Sequence, residues 1–402
     1  MNNRFLFFFF SIMLISCSSK NNQQELSLDG AYYTIDLDAE KEDPIPLSSL
    51  FKSVRTVILE TGEDFLIGNI STIHVFDGHI YILDSRKAKG LYVFDMEGRF
   101  IRKIGGLGQG PGEYLEPADF TLDTNNGIIY ICDMKNRVHK YNLDGTFIHT
   151  ITIQAPNSTI AFIQFYNDNL YSSHIWWDKT SNDSLLLEID PNDGKILSQS
   201  LHVKYNKGWN ESFFNADSRF FMSRAQNPPR FNQMFMDHIV SIGKEITPYI
   251  ELKSKYLTTE ADIESFRGKD GIPANTSNVF NSKKKFSVTC FIENDDFVSF
   301  QWGLNRFLSV VLDKKTGKAK LYDYMNNDLI YKQGQKNRSQ MHRFKCSDAK
   351  GAYVILETLA NELSNFQNDI KNNEIVPDLD KLEQLKQLDD DSNPVIFFYE
   401  YK

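Results

Sequence analysis

Two stretches of the chain share one pattern: IYILDSRKAKGLYVFDMEGRFIRKI at residues 80–104 and IYICDMKNRVHKYNLDGTFIHTI at residues 129–151. Each begins with an apolar run that ends in Asp, passes through a polar turn into a second run, and has Glu-Gly or Asp-Gly before a third. Because Gly tolerates positive φ in such turns, each unit predicts three antiparallel strands. The units lie about 48 residues apart, a period typical of β-propeller blades.

Weaker copies of this pattern recur at residues 185–197 and 307–321. We therefore predict an all-β fold, a six-bladed β-propeller. The predicted blades lie at residues 65–105, 117–153, 160–201, 213–252, 283–325 and 335–402. The apolar strands at 56–59 and 395–399 are expected to pair in the last blade, which would close the ring and hide two sheet edges.

Two segments depart from the strand pattern. Thr259–Arg267 predicts a short helix capped by Thr259, with Ile263 and Phe266 facing inward. Leu and other apolar residues recur at helical spacing on both sides of Pro377, which predicts a helical hairpin inserted at about 357–390. We interpret its apolar stripe as a packing face against the propeller.

The N-terminus predicts export and lipidation. Residues 1–16 contain Arg4 and an apolar run that is too short to span a membrane, and Cys17 follows at once. The segment resembles a bacterial lipoprotein signal, which implies cleavage before Cys17 and anchoring through its acyl chains. The alternative is an ordinary secretory signal with a chance Cys. Residues 17–45 are polar and predict a flexible tether, and the propeller is expected to fill 46–402.

Charge and cysteine content limit the classes of partner. The formal net charge is −9 and we find no basic patch in the sequence, which argues against nucleic acid as a partner. Cys132, Cys290 and Cys346 are far apart and two of them lie in apolar strand patterns, so they predict core packing and no metal site. One disulfide is conceivable, but the sequence does not choose the pair.

The sharpest motif after the signal is IGGLGQGPGEYLEP, residues 104–117. It follows a Val-Phe-Asp-x-x-Gly-x-Phe hairpin and resembles the link between blades of NHL-like and TolB-like propellers, in particular the six-bladed propeller lipoproteins of Bacteroidetes. The resemblance implies a fold and an envelope location, and it implies no catalytic motif. Residues 18–22 lack the acidic run that resembles a surface-export signal in these bacteria, so we expect the periplasmic face of the outer membrane. The link is interpreted as a crossover between blades, with an anion-binding nest of backbone N–H groups as the alternative.

Aromatic and cationic residues in less regular segments are the candidate ligand-binding residues, because aromatic faces stack on sugars or peptide side chains and Arg binds carboxylates. They are expected on one ring face, to bind a glycan, a peptide or an envelope protein. The alternative for each is packing between blades. A second hypothesis is a metal-dependent hydrolase, lactonase or lyase with a divalent cation in the central channel, although no catalytic or metal motif and no cofactor is evident. The candidate residues are Trp176, Trp177, Trp209, Arg219, Arg224, Arg230, Trp302 and Arg306.

Overall fold

The computed structural model describes residues 28, 30–155, 159–175, 184–207, 219–221, 228–266, 282–285, 287–303, 308–332, 344–348, 350–356 and 362–402. The strands of its first half are β1 Tyr33–Asp36, β2 Ile45–Pro46, β3 Phe51–Ile58, β4 Thr72–Phe76, β5 His79–Asp84, β6 Gly90–Asp95, β7 Phe100–Ile104, β8 Gly106–Leu107, β9 Glu113–Tyr114, β10 Pro117–Asp123, β11 Ile128–Asp133, β12 Arg137–Asn142, β13 Phe147–Thr152, β14 Thr159–Tyr166, β15 Asn169–Ile175, β16 Ser184–Ile189 and β17 Ile196–His202.

The strands of its second half are β18 Arg219–Phe221, β19 Arg230–Asn232, β20 His238–Ile242, β21 Ile246–Lys253, β22 Val288–Glu293, β23 Phe297–Trp302, β24 Leu308–Asp313, β25 Lys318–Tyr322, β26 Met325–Asn326, β27 Phe344–Ser347, β28 Gly351–Leu356 and β29 Val395–Tyr401. The α-helices are α1 Glu260–Phe266, α2 Glu362–Lys371 and α3 Leu382–Leu385, and single 3₁₀ turns lie at Leu47–Ser49, Glu63–Phe65 and Val203–Tyr205.

Six antiparallel sheets form the blades of a propeller. Their strand orders are β4–β5–β6–β7, β10–β11–β12–β13, β14–β15–β16–β17, β18–β19–β20–β21, β22–β23–β24–β25 and β27–β28–β29–β3, which we call blades 1 to 6. Contacts join β4 to β10, β10 to β14, β14 to β18, β22 to β27 and β27 to β4. The first strand of each blade is therefore the inner one, and the predicted six-bladed fold is confirmed.

The core consists of six apolar clusters, one between each pair of adjacent blades. The strands are nearly continuous in apolar residues because both faces of every blade are covered. In β5, Ile80 and Ile82 face blade 6, while Tyr81 and Leu83 face blade 2. Alternating side chains thus pack against different neighbours, as the period of two in a strand requires.

Ring closure follows the prediction. Strand β3 pairs antiparallel with β29, so that Ile58 lies opposite Val395 and Val57 lies opposite Ile396. Blade 6 is therefore built from both ends of the fold. The pairing covers the edge of β29, which would otherwise be unpaired and would invite aggregation, and makes β3 the outer strand of blade 6.

The expectation of a flexible tether over residues 17–45 is wrong for its C-terminal part. Strand β1 pairs in parallel with β21 as a fifth strand of blade 4, with Tyr33 opposite Ile250 and Ile35 opposite Leu252. The chain then continues along blade 5, where β2 pairs with β26. Tyr33, Ile35 and Leu37 are buried and alternate with exposed residues, a strand pattern that is only five residues long. We call residues 33–46 the strap.

The predicted helical segments are present. Thr259 Oγ1 accepts the N–H of Asp262, whose carboxylate accepts the N–H of Thr259, so a reciprocal cap starts α1. Helices α2 and α3 lie between β28 and β29, and their buried Leu363, Phe366 and Leu385 pack in the cluster of blades 5 and 6. Helix α3, the second helix of the predicted hairpin, is shorter than the helical spacing of the apolar residues predicts. The packing role of the stripe is confirmed.

In each blade the links from the preceding blade and the turns between the second and third strands emerge at the same end of the antiparallel strands. We call this end of the ring the link face. It carries the strand starts of β4 and β10 and the ends of β5, β11 and β23. Surface loops on a rigid scaffold are where binding residues are found most often, so the link face positions the candidate site.

Candidate functional site

Most of the predicted ligand-binding residues lie outside the part of the chain that the structure describes: Trp176, Trp177, Trp209, Arg224 and Arg306. Arg219 begins β18, the inner strand of blade 4, and only its backbone is described. Arg230 and Trp302 are the two whose surroundings can be examined. The structure therefore tests the predicted set only at Arg230 and Trp302.

Arg230 is a correction to the sequence interpretation. It is 5% exposed, and its Nε and Nη2 donate to the two carboxylate oxygens of Glu293, each at 3.0 Å. Its Nη1 donates to Ser241 Oγ at 2.6 Å, and its guanidinium lies 3.7 Å from the ring centre of Tyr249. A guanidinium that is buried and paired in this way joins blades 4 and 5 and does not present itself to a ligand.

Glu293 completes this buried network. Its carboxylate is fully buried and also accepts hydrogen bonds from Tyr249 Oη at 2.8 Å and Lys314 Nζ at 3.0 Å. Burial alone would raise the pKa of Glu293, but the hydrogen bonds and charges of Arg230 and Lys314 outweigh it and lower the pKa. The carboxylate is therefore held ionised, as a buried charge with complete pairing can be.

Trp302 is also a packing residue, and it supports the half-buried cation of Lys285. Its side chain is 1% exposed in the cluster of blades 4 and 5. The ammonium of Lys285 lies 5.0 Å from the centre of its ring. Trp302 itself offers no free face for a ligand, whereas Lys285 is half-buried and forms no ion pair with a described residue.

Two exposed tyrosines lie on the link face, one in the link before blade 5 and one in the link after it. Tyr256 is 39% exposed, and the ammonium of Lys255 lies 5.2 Å from the centre of its ring. The carbonyl oxygen of Tyr256 accepts the N–H of Lys285 at 2.9 Å. Tyr324 is 45% exposed and follows Asp323 in the link from blade 5 to blade 6. These residues, with two from the strap, form what we call the strap site: Asp38, Lys41, Tyr256, Lys285, Trp302 and Tyr324.

The strap fixes the electrostatics of this site. Burial lowers the pKa of Lys285, the positive charge of Lys41 lowers it further, and Asp323 and Asp38 act in the opposite sense. Lys41 forms an ion pair with Asp323. Asp38 accepts the hydroxyl of Ser254 at 2.8 Å and the N–H of Lys255 at 2.7 Å, which ties the strap to the link that carries Tyr256.

The arrangement can bind a ligand that has both a flat or apolar face and a carboxylate. Exposed tyrosine rings supply stacking area and a hydroxyl, and the partly desolvated ammonium of Lys285 supplies a charge-assisted donor. The sequence analysis missed Tyr256, Tyr324 and Lys285. A signal was present, since both tyrosines stand just after the last strand of a blade, where the link begins.

The Gly-rich link is a crossover, and its own chain fills the suspected anion nest. Gly110 N–H donates to Glu113 Oε2 at 2.7 Å. A Cβ added at Gly108, where φ is +158°, would lie 1.9 Å from the same carboxylate oxygen. Gly108 therefore makes room for Glu113, and β8 pairs with β9 in a tight loop.

No disulfide joins the three cysteines that the structure describes, and they occupy different interfaces. Cys132 packs between blades 2 and 3, Cys290 between blades 5 and 6, and Cys346 between blades 6 and 1. Among the described residues no group of three or more His, Cys, Asp or Glu side chains is placed to hold a metal ion. Within the same residues, no helix has the length and apolar character needed to cross a bilayer.

Comparison with known families and structures agrees with the fold. The sequence profile of a family described as a domain of unknown function, DUF4934, matches residues 32–400. The chain belongs to this family. The match begins at the strap and ends in β29, so it spans the ring that the two ends of the fold close.

Solved structures resemble this DUF4934 chain at low identity. A protein of Bacteroides fragilis described as exported has 18% identity and a TM-score of 0.71, over 92% of this chain and 99% of that one. A member of the DUF4221 family from Bacteroides vulgatus has 12% identity and a TM-score of 0.49, over 87% and 97%. No curated protein matches the sequence. The first likeness supports the propeller fold.

Proposed function

We propose that this DUF4934 protein is a binding module of the cell envelope that holds a glycan, a peptide or a protein partner at its link face. One observation carries the proposal. Eight large hydrophobic side chains are more than a third exposed among the described residues, and five of them lie in links or turns of the link face: Leu66, Leu107, Met134, Tyr256 and Tyr324. Exposed apolar groups concentrated on one face are typical of interaction sites.

Within this face the strap site is the proposed centre of binding. It combines two exposed tyrosines with Lys285, and its backbone is held by hydrogen bonds between the strap and the link from blade 4 to blade 5. A site on rigid elements loses little entropy when a ligand binds. The interpretation of Trp302 as a ligand contact is replaced by one in which Trp302 positions Lys285.

A thermal-shift screen of residues 18–402 tests the proposal with oligosaccharides, peptidoglycan fragments and peptides. A ligand present at 100 times its Kd stabilises the fold by about 2.7 kcal/mol, which raises the melting temperature visibly. We expect Y256A/Y324A to weaken that ligand by about tenfold, because each stacked ring contributes about 0.5–1.5 kcal/mol. Y32A is the matched control, since Tyr32 is 76% exposed but lies beside the outer edge of blade 4. If a ligand binds Y256A/Y324A as tightly as it binds the wild type, its binding site lies elsewhere on the protein.

We also propose that the chain is exported and anchored in the outer membrane through lipidated Cys17, facing the periplasm. The signal-like residues 1–16 and the structural likeness to a protein described as exported support this. Metabolic labelling with an alkyne fatty acid and envelope fractionation test it. Cys17→Ala is expected to lose the label and to leave the membrane fraction. A Cys17→Ala protein that stays in the membrane refutes the anchor, and protease digestion of intact cells tests the periplasmic orientation.

A further inference from the structure

The link face of blades 1 and 2 carries a second feature, a group of cations. The turn between β5 and β6 contains Arg86, Lys87 and Lys89, and the turn between β11 and β12 contains Lys135. Leu66 and Met134 are 45% and 36% exposed beside them. We call these six residues the basic patch. The patch was not predicted from the sequence, because three of its cations form one short turn of an acidic chain and Lys135 joins them from the next repeat.

The same device builds both turns. Asp84 is fully buried, and its Oδ1 accepts the N–H groups of Arg86 at 3.0 Å and Lys87 at 2.7 Å. Asp133 is also fully buried, and its Oδ1 accepts the N–H of Lys135 at 2.9 Å. A carboxylate that takes several backbone N–H groups fixes the turn, so the cations start from a rigid backbone.

Contacts across the blade boundary make the patch continuous. Asp84 Oδ2 accepts the N–H of Gly68 at 2.9 Å, which brings the link that holds Leu66 to the first turn. Lys89 Nζ lies 3.8 Å from Glu116 Oε1, and the carbonyl oxygen of Glu116 accepts the N–H of Met134 at 3.1 Å. Glu116 therefore joins the turn of blade 1 to that of blade 2.

Most cations of the basic patch form no ion pair with a described residue. Arg86, Lys87 and Lys135 are exposed and form no ion pair within the described part of the chain. Lys89 has only the long contact to Glu116, and Glu113 in the same link is occupied by the Gly110 N–H. The buried Asp84 offsets part of this charge. Glu63 and Asp64 are exposed in the link that also holds Leu66, and they form no ion pair with a described cation of the patch.

We propose that the basic patch docks an acidic polypeptide segment that also carries apolar side chains. The carboxylates of such a segment complement Arg86, Lys87 and Lys135, and its apolar side chains fit Leu66 and Met134. A bilayer surface is the less favoured occupant. Strand β1 runs parallel to β21, whose C-terminal end lies at the link face, so β1 starts at the opposite end of the ring from the patch. This inference is independent of the strap site.

Fluorescence anisotropy with labelled poly-L-glutamate tests the proposal, with phosphatidylglycerol vesicles as the second probe. The wild-type domain is expected to bind poly-L-glutamate more weakly as salt rises, because exposed charges are screened. R86E/K87E/K135E is expected to weaken binding by about tenfold or more, since each reversal turns an attraction into a repulsion. L66S/M134S is expected to lose less, and without added salt dependence.

The matched control is K195E/K244E/K318E. These three lysines are exposed, form no ion pair with a described residue and lie in turns or outer strands of blades 3, 4 and 5, so the control has the same change in net charge. It should retain affinity within about threefold, and far-UV circular dichroism should be unchanged in both variants. The proposal is overturned if the wild type binds neither probe, if the control loses as much affinity as R86E/K87E/K135E, or if vesicles are the better ligand of the patch.

Discussion

Replacing Arg230 by Met tests the buried network between blades 4 and 5. Methionine preserves much of the side-chain volume but removes the charge and the donors. The substitution deletes two hydrogen bonds to Glu293, each of 3.0 Å, and one of 2.6 Å to Ser241. It also deletes the cation held 3.7 Å from the ring of Tyr249.

The expected loss is large because Glu293 is fully buried and stays behind. Removing one partner of a buried ion pair costs about 3–5 kcal/mol of the free energy of unfolding. Lys314 Nζ at 3.0 Å and Tyr249 Oη at 2.8 Å still reach the carboxylate, so we expect the lower end, about 3 kcal/mol. A fold of this size has an unfolding entropy of about 0.8 kcal/mol/K, so the melting temperature should fall by about 4 °C.

The assay is urea unfolding followed by tyrosine and tryptophan fluorescence, at pH 7 and at pH 4. The pKa of Glu293 is lowered in the folded state, so its contribution is present above its unfolded pKa of about 4.3 and is lost as pH falls through the folded value. Arg230→Met removes the main cause of that lowering. The difference between wild type and variant should therefore be largest at pH 7 and smaller in acid.

Two further variants decide the interpretation. In R230M/E293L both charges are gone, and we expect most of the lost stability to return, because apolar replacement of a buried pair is often neutral. Arg99→Met is the surface control, since Arg99 pairs with Asp95 at 2.6 Å but is 73% exposed, and it should change stability much less than Arg230→Met does. The reasoning is refuted if Arg230→Met costs no more than Arg99→Met, or if R230M/E293L is less stable than Arg230→Met.

Three more predictions concern stability. His74 is 1% exposed and neither ring nitrogen has a hydrogen-bond partner among the described residues, so thermal melts should show His74→Leu to be neutral or stabilising. His139→Leu should cost about 1–3 kcal/mol, because it deprives buried Asp133 of a hydrogen bond; the opposite ranking would contradict the argument. Gly194 has φ +76°, and an added Cβ would lie 2.3 Å from a carbonyl oxygen of blade 2, so Gly194→Ala should lower the urea midpoint of unfolding. Gly78→Ala is the control: its added Cβ meets no atom within 4 Å, so it should lower the midpoint less. Burial would raise the pKa of Asp237, but hydrogen bonds and charges of its neighbours outweigh it and lower the pKa to about 2. The contribution of Asp237 to the free energy of unfolding is therefore lost as pH falls from about 4 to 2. Asp237→Asn should flatten the pH dependence of unfolding in that range.

The repeated sequence determined the architecture of this protein. Apolar runs such as residues 80–83 bury both faces of a blade, and the Asp-Gly turns set hairpins between strands, so local residues alone specify the blade. The pairing of β3 with β29 was also predictable, because each is an apolar strand without a partner in its own repeat. The strap was missed because residues 33–37 have too short an alternating pattern to distinguish a strand from a polar tether.

Only the tertiary structure decided what the polar residues do. Arg230 and Glu293 are 63 positions apart, and nothing local shows that one neutralises the other inside the core. The sequence suggests Trp302 as a ligand-binding residue, but neighbouring blades bury its side chain. Tyr256 and Lys285 lie far apart in one link and Tyr324 lies in the next, while the basic patch combines turns of two blades. A propeller brings such residues together because its links all emerge at one end, and burial and pairing there depend on blade packing that no single repeat encodes.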